Sequence, residues 1–165
     1  MSTAIFYATS TGNTKEMAKL ISKELNDIEI YDISFSGVEK INEFDKVIIG
    51  CSTWGEGELQ DDLEDVWDEF SSLDFSNKTV ALFGLGDQES YGEEYVNAMG
   101  IVYEKVLENG ANIIGSWSTD GYDFEASNAI ENDNFVGLAL DEDNQSELSE
   151  QRVATWCEII REEIL

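Results

Sequence analysis

The sequence predicts one α/β domain spanning residues 1–165, built on a doubly wound, five-stranded parallel sheet in the order 2-1-3-4-5. Three observations predict it. Short β-branched and aromatic runs alternate with longer segments of helical period, the pattern of a parallel sheet covered on both faces. Right-handed crossovers turn such an alternation into a doubly wound sheet, for which 2-1-3-4-5 is one of the two common orders. The last apolar strand comes in two pieces, so the fifth position is interrupted.

Ala4 to Ala8 forms the first strand, and Met17, Ile21 and Leu25 mark the inward face of the helix after it. Ile28 to Tyr31 forms the second strand; residues 32–45 carry no strong helical stripe, and the form of this connection stays open. Lys46 to Cys51 is the third strand, with Leu63, Trp67 and Phe70 along a helix behind it. Val80 to Gly84 is the fourth, followed by a helix marked by Tyr95, Met99, Val102 and Val106. Asn112 to Trp117, continued by Phe135 to Leu140, makes the fifth, and Val153, Trp156, Ile160 and Ile164 stripe a last helix. No internal repeat, low-complexity linker or proline-rich hinge argues for a second domain.

The charge balance narrows the function. Asp and Glu number 36 against 9 Lys and Arg, a formal net charge of −27, which makes nucleic acid and anionic membranes poor partners. Between Val47 and Glu104 the only basic residue is Lys78, while Glu56, Glu58, Asp61, Asp62, Glu64, Asp65, Asp68 and Glu69 crowd one short segment. No run approaches the ~18 apolar residues of a membrane-spanning helix, and the N-terminal apolar run is too short for a signal peptide, so a cytoplasmic protein is expected. Cys51 and Cys157 form no CxxC pair and the chain has no histidine, which removes the material for a disulfide framework or a zinc site. Both read as reduced, buried small hydrophobes.

In a doubly wound sheet, ligands sit past the carboxyl ends of strands one and three. After strand one comes Thr9-Ser10-Thr11-Gly12-Asn13-Thr14, running directly into a helix. Hydroxyls, an amide and a glycine at a helix N-terminus offer donors to a phosphate, and the helix dipole favours its charge. Alone, such a cluster also serves as an ordinary N-cap and turn. It is not a Walker loop, and Gly84-Leu85-Gly86 lacks the third glycine of a dinucleotide fingerprint, so a monophosphate fits best. The loop after strand three reads Ser52-Thr53-Trp54-Gly55-Glu56-Gly57, and the loop after strand four reads Gly86-Asp87-Gln88-Glu89-Ser90-Tyr91-Gly92. Either aromatic alone would be plain packing, but Trp54 and Tyr91 at one sheet edge can sandwich a flat heterocycle while glycines let the backbone reach its polar rim.

These loops in this order resemble the flavodoxins, and in particular their long-chain group. Trp117-Ser118-Thr119-Asp120-Gly121-Tyr122-Asp123-Phe124 and the run Phe135 to Gln145 are similar to long-chain members almost residue for residue, and the resemblance covers essentially the whole chain. It implies a flavodoxin-like fold with residues 118–134 as the insertion that splits strand five. It further implies non-covalently bound flavin mononucleotide (FMN), cycling between oxidised, semiquinone and hydroquinone states to pass single electrons at low potential. Thr9, Ser10, Thr11, Asn13 and Thr14, around Gly12, then hold the phosphate. Ser52, Thr53, Gly55, Gly57, Gly86 and Asp87 belong to the loops around the ring, Trp54 and Tyr91 stack on its faces, and Asp143 hydrogen-bonds the ribityl chain. The implied partners are redox proteins with basic docking surfaces, such as a flavodoxin/ferredoxin reductase and acceptor oxidoreductases, met by a monomer. Two positions depart from the group. Gly55 stands where many long-chain members carry asparagine, which bears on redox tuning, and Leu85 replaces a hydroxyl residue often found before Gly86-Asp87.

Two other classes of protein share parts of this pattern. A receiver domain shares the sheet order but needs an aspartate at the end of strand three, where Cys51-Ser52-Thr53 stand, and a lysine at the end of strand five, where Trp117-Ser118 stand. An FMN-dependent NAD(P)H:quinone reductase would use the same phosphate loop but needs an open ring face, which Trp54 and Tyr91 would close. A carrier with no catalytic residue and no metal is the expectation.

Overall fold

The computed structural model of the chain describes residues 3–8, 12–54, 58, 59 and 61–165. In chain order these form β1 (Thr3–Tyr7), α1 (Asn13–Glu24), β2 (Glu29–Asp32), α2 (Ile33–Ser36), a 3-10 turn (Glu39–Glu43) and β3 (Lys46–Trp54). Then come β4 (Glu58–Leu59), α3 (Asp61–Asp65), α4 (Trp67–Ser71), β5 (Thr79–Leu85) and α5 (Asn97–Glu108). Last are β6 (Asn112–Ile114), β7 (Trp117–Ser118), β8 (Ile130–Glu131), β9 (Asn134–Phe135), β10 (Leu138–Leu140) and α6 (Ser146–Ile164).

The main sheet runs β2-β1-β3-β5, and both β6 and β10 lie parallel to β5 in the fifth position. That is the expected 2-1-3-4-5 order with its last place shared. Period-two side-chain alternation explains how the strands bury both faces. Ile5, Ile48, Ala81 and Phe83 turn to one side, where Met17, Ile21, Val153, Trp156 and Ile160 of α1 and α6 cover them. Ala4, Phe6, Val47, Ile49, Val80 and Leu82 turn to the other, against Leu63, Phe70, Val102 and Val106 of α3, α4 and α5. Cys51 and Cys157 are free and buried, and burial pushes each thiol up to about 12.

Three elements differ in detail from the sequence reading. The fifth strand is not one line from Asn112 to Trp117 and on to Leu140: at Gly115 (φ +85°) the chain leaves the sheet. Trp117 and Phe135, read as ends of the two halves, instead pair with each other in a small antiparallel sheet of order β7-β9-β8. The helix marked by Leu63, Trp67 and Phe70 is two short helices, broken at Val66 (φ −112°), with Trp67 stacked on Phe70 at 5.2 Å. The open stretch 32–45 holds α2, capped by the Asp32 carboxylate accepting from the Ser34 amide, and the 3-10 turn. Its few residues per element are too short to show a helical stripe.

Residues 116–137 are tied to the body by aromatic packing. Tyr122 and Phe124 lie against Tyr95 at centroid distances of 5.9 and 5.5 Å, and Tyr122 meets Phe135 edge-on at 5.1 Å. The Trp117 indole N–H donates to the Tyr122 hydroxyl at 2.8 Å, and the Arg152 guanidinium lies 4.0 Å from the Tyr122 ring centre.

Candidate functional site

The carboxyl ends of β1, β3, β5 and β10 converge on one edge of the sheet, as the parallel registers require. A cleft of about 270 Å³ opens there, lined by Asn13, Ser52, Thr53, Gly86, Asp87, Tyr91 and Asp143 together with Leu85, Glu94 and Glu142. Seven of the residues expected at the site are thus brought together. Thr9, Ser10, Thr11, Gly55 and Gly57 lie outside the described residues, and Trp54 is described only through its backbone, which ends β3 and pairs with Glu58 of β4.

At one end of the cleft stands the N-terminus of α1. Gly12 takes φ +92°, a left-handed conformation that glycine adopts without Cβ strain, and the first intrahelical bond is Glu16 N–H to the Gly12 carbonyl at 3.0 Å. The amides of Asn13, Thr14 and Lys15 therefore have no partner in the preceding helical turn. Thr14 is buried at 1% exposure, and its hydroxyl has no hydrogen-bond partner among the described residues. A buried, unsatisfied donor beside helix-terminal amides fits an anion that supplies the missing acceptor.

In the middle, β3 doubles back as β4, with Thr53 opposite Leu59. The Thr53 hydroxyl oxygen accepts from the Ala98 amide at 3.0 Å and so fixes the start of α5 to the loop. At the other end, Gly86 N–H donates to the Leu140 carbonyl at 3.1 Å and launches the loop that carries Tyr91. A Cβ on Gly86 would meet Tyr95 Cδ1 and Val96 N, both at 3.1 Å, so a side chain there would press on both. Val96 itself sits at φ +47°, an uncommon place for a β-branched residue and a local strain beside the site. Tyr91 is 47% exposed, its ring available to a flat ligand.

The electrostatics are one-sided. Among the described lining residues there are four carboxylates, Asp87, Glu94, Glu142 and Asp143, and no lysine or arginine. Partial burial pushes the Asp87 carboxyl up, but hydrogen bonds from the Ser90 amide, Asn144 and Glu89 outweigh it and hold the group below its ordinary value. Asp143 goes the other way: burial first, then Asp87, Asp141 and Glu142, raise it. A raised carboxylate pKa makes the charged form the less favoured one in the fold, so the stability it contributes is present in acid and lost as pH rises through the shifted value. Asp143→Asn should therefore raise the melting temperature of the ligand-free protein at pH 7, with the gap to wild type closing as pH falls through the raised value and gone below the ordinary 3.8. Melts that coincide at pH 7, or a gap that widens in acid, would contradict this.

Sequence reasoning singled out Leu85 only as a departure beside the ring loop, missed Glu94 and Glu142 as lining residues, and missed the Thr53 to Ala98 link, which joins residues distant in sequence. It also gave no role to Asp141, whose side chain is fully buried behind the Tyr91 loop.

The flavodoxin family pattern matches residues 5–156. Flavodoxin from Synechocystis sp. is 48% identical over 160 residues, covering 95% of this chain and 94% of that protein. Flavodoxin 1 from Escherichia coli K12 is 44% identical over 165 residues, covering 98% and 94%. Among solved structures, Fusobacterium nucleatum flavodoxin bound to flavin mononucleotide superposes with a TM-score of 0.93 at 33% identity, covering 99% of each chain.

Proposed function

The chain belongs to the flavodoxin family, and from that premise we propose how its own residues hold FMN and meet a redox partner. It is an electron carrier rather than an enzyme, and FMN, when bound, supplies the one-electron chemistry. The 165 residues act as one FMN-binding domain. The observation that carries the site assignment is the buried Thr14 hydroxyl at the open end of α1, which has no hydrogen-bond partner among the described residues. It supports a phosphate held at the Thr9 to Thr14 loop, with Gly12 shaping the turn and Asn13 at the mouth of the cleft.

The Ser52 to Gly57 loop with Trp54 and the loop of Gly86, Asp87 and Tyr91 would hold the ring, and Asp143 would hydrogen-bond the ribityl chain. The acidic lining makes added negative charge unfavourable, which lowers the potential for accepting the last electron. An absorption spectrum of the purified protein tests the reading: flavin bands, with a mononucleotide released on denaturation, are expected. A colourless protein that refuses FMN would overturn it.

Flavodoxins work with redox partners, and for this chain we assign docking to the acidic segment beside the site, which steers partners with basic surfaces. α2 packs against α3 at this edge and leaves Phe35 90% exposed, an apolar contact within an acidic field. Charge reversal at Asp61, Asp62 and Asp65 should slow the encounter, and association of the wild type should slow as salt rises, with FMN affinity nearly unchanged. Electron-transfer rates indifferent to ionic strength in stopped-flow mixing would remove this face from consideration. No helix among the described residues is long and apolar enough to cross a membrane, and we place the protein in the cytoplasm as a monomer.

A further inference from the structure

Tyr91 is half exposed, so little side-chain packing fixes its ring; its position depends on the backbone of its loop. That backbone is held from beneath by a buried carboxylate. Asp141, the residue after β10, has no exposed surface, and Gln88 is only 2% exposed. Asp141 Oδ2 accepts from the Gln88 amide at 3.0 Å, from Gln88 Nε2 at 2.8 Å and from Asn144 Nδ2 at 2.9 Å. Its Oδ1 accepts from the Asp143 and Asn144 amides at 3.1 and 3.0 Å. Five neutral donors converge on one carboxylate, an arrangement that satisfies both oxygens.

The far end of Gln88 reaches the 118–134 insertion, where its Oε1 accepts from the Asp123 amide. On the other side of Tyr91, the Gly92 carbonyl accepts from the amides of Glu125 and Ala126 at 2.8 and 2.9 Å. The insertion therefore grips the loop on both flanks of the aromatic residue, at Gln88 and at Gly92. A Cβ on Gly92 would come within 2.7 Å of the Gln88 carbonyl, so the two grips are packed against each other.

We propose that Asp141 and Gln88 are positioning residues which, with the backbone of residues 123–126, hold Tyr91 ready to cover one face of the flavin ring. The insertion thus acts as a clamp on the ring and not on the phosphate. This rests on the FMN reading above. A loop ordered before the ligand arrives spares the binding step the cost of ordering it. Carboxylate, amide and backbone grips form one network, so loss of Gln88 disconnects the carboxylate from the insertion while leaving strand pairing intact.

Gln88→Met keeps the length of the side chain and removes both of its hydrogen-bonding ends. In the ligand-free protein, amide exchange should accelerate about 10-fold or more at Gln88 to Gly92, while amides of β5 keep wild-type protection. FMN and riboflavin should both bind about 5- to 10-fold more weakly, by the same factor, because both present the ring to Tyr91. Asp141→Asn, which turns an amide donor toward existing donors, should act the same way more strongly; if it fails to fold, Gln88→Met decides. Unchanged affinities for both flavins, a loss confined to FMN, or faster exchange spread through β5 would each overturn the proposal. A wild-type protein that binds neither flavin would instead defeat the FMN reading, whatever the exchange data show.

Discussion

Thr14→Val should weaken FMN binding by about 1–3 kcal/mol, a rise in Kd of roughly 5- to 150-fold, and leave riboflavin affinity nearly unchanged. Valine has the shape of threonine without the hydroxyl. The Thr14 hydroxyl is buried and has no partner among the described residues, so in the ligand-free protein it contributes desolvation cost and no hydrogen bond. Removing it should leave the melting temperature of the apoprotein unchanged or slightly higher. The phosphate, by contrast, would lose a buried donor to a charged acceptor, the kind of bond whose loss is felt most. The signature is a crossing: stability of the apoprotein held or raised, FMN affinity lowered, riboflavin indifferent. Calorimetric titration of both flavins with thermal melts of the apoprotein reads all three. Equal losses for the two flavins would put the phosphate somewhere other than the end of α1.

How much of this was legible in the sequence follows from which forces act locally. Strands β1, β3 and β5 were found to within a few residues because each is an apolar run buried on both faces, a signal that needs no partner to be seen. The start of α1 after Gly12 was legible because hydroxyls, an amide and a glycine sit next to one another there, just before an apolar helical stripe. The break at Val66 and the exit of the chain at Gly115 were not legible, since periodicity registers which side a residue faces and not where the backbone turns. Tyr95 was placed on the α5 stripe by its spacing, yet the helix starts at Asn97, and Tyr95 packs instead on Tyr122 and Phe124 of the insertion. Asp141 is the instructive omission. Sitting in the acidic run Asp141-Glu142-Asp143, it looks like a solvated charge, and only the fold shows that Gln88 and Asn144 bury and satisfy it. Side chains whose partners lie more than 50 positions away carry no local mark, as Gln88 and Asp141 do.

Gly137→Ala should destabilise the apoprotein by about 3 kcal/mol or more, and Gly50→Ala by a similar first amount, but only the second loss should be recoverable. Gly50 lies in β3 directly opposite Phe83 of β5, and a Cβ there would enter the Phe83 ring. The ring is fully buried in the core between the sheet and helices α1 and α6, and close packing there opposes its swinging aside. Phe83→Leu in the Gly50→Ala background removes the colliding atoms, so the double variant should be more stable than the sum of the two single losses by at least about 1 kcal/mol. Gly137 precedes β10, and its added Cβ would strike the Leu82 carbonyl oxygen and stand 2.8 Å from the carbonyl carbon. Those atoms are backbone of the strand on which β3, β6 and β10 all depend. Shortening Leu82 to alanine leaves them in place, so Leu82→Ala should give Gly137→Ala no relief. The clash also keeps Leu138 to Leu140 off the sheet, which carries Asp141 and the Leu140 carbonyl away from the Tyr91 loop. Gly137→Ala should therefore weaken FMN and riboflavin alike, whereas Gly50→Ala with Phe83→Leu should bind both nearly as wild type. Urea unfolding of the apoproteins with flavin titration separates the two cases, and equal rescue in both pairs would show that the Gly137 contact yields like a side chain.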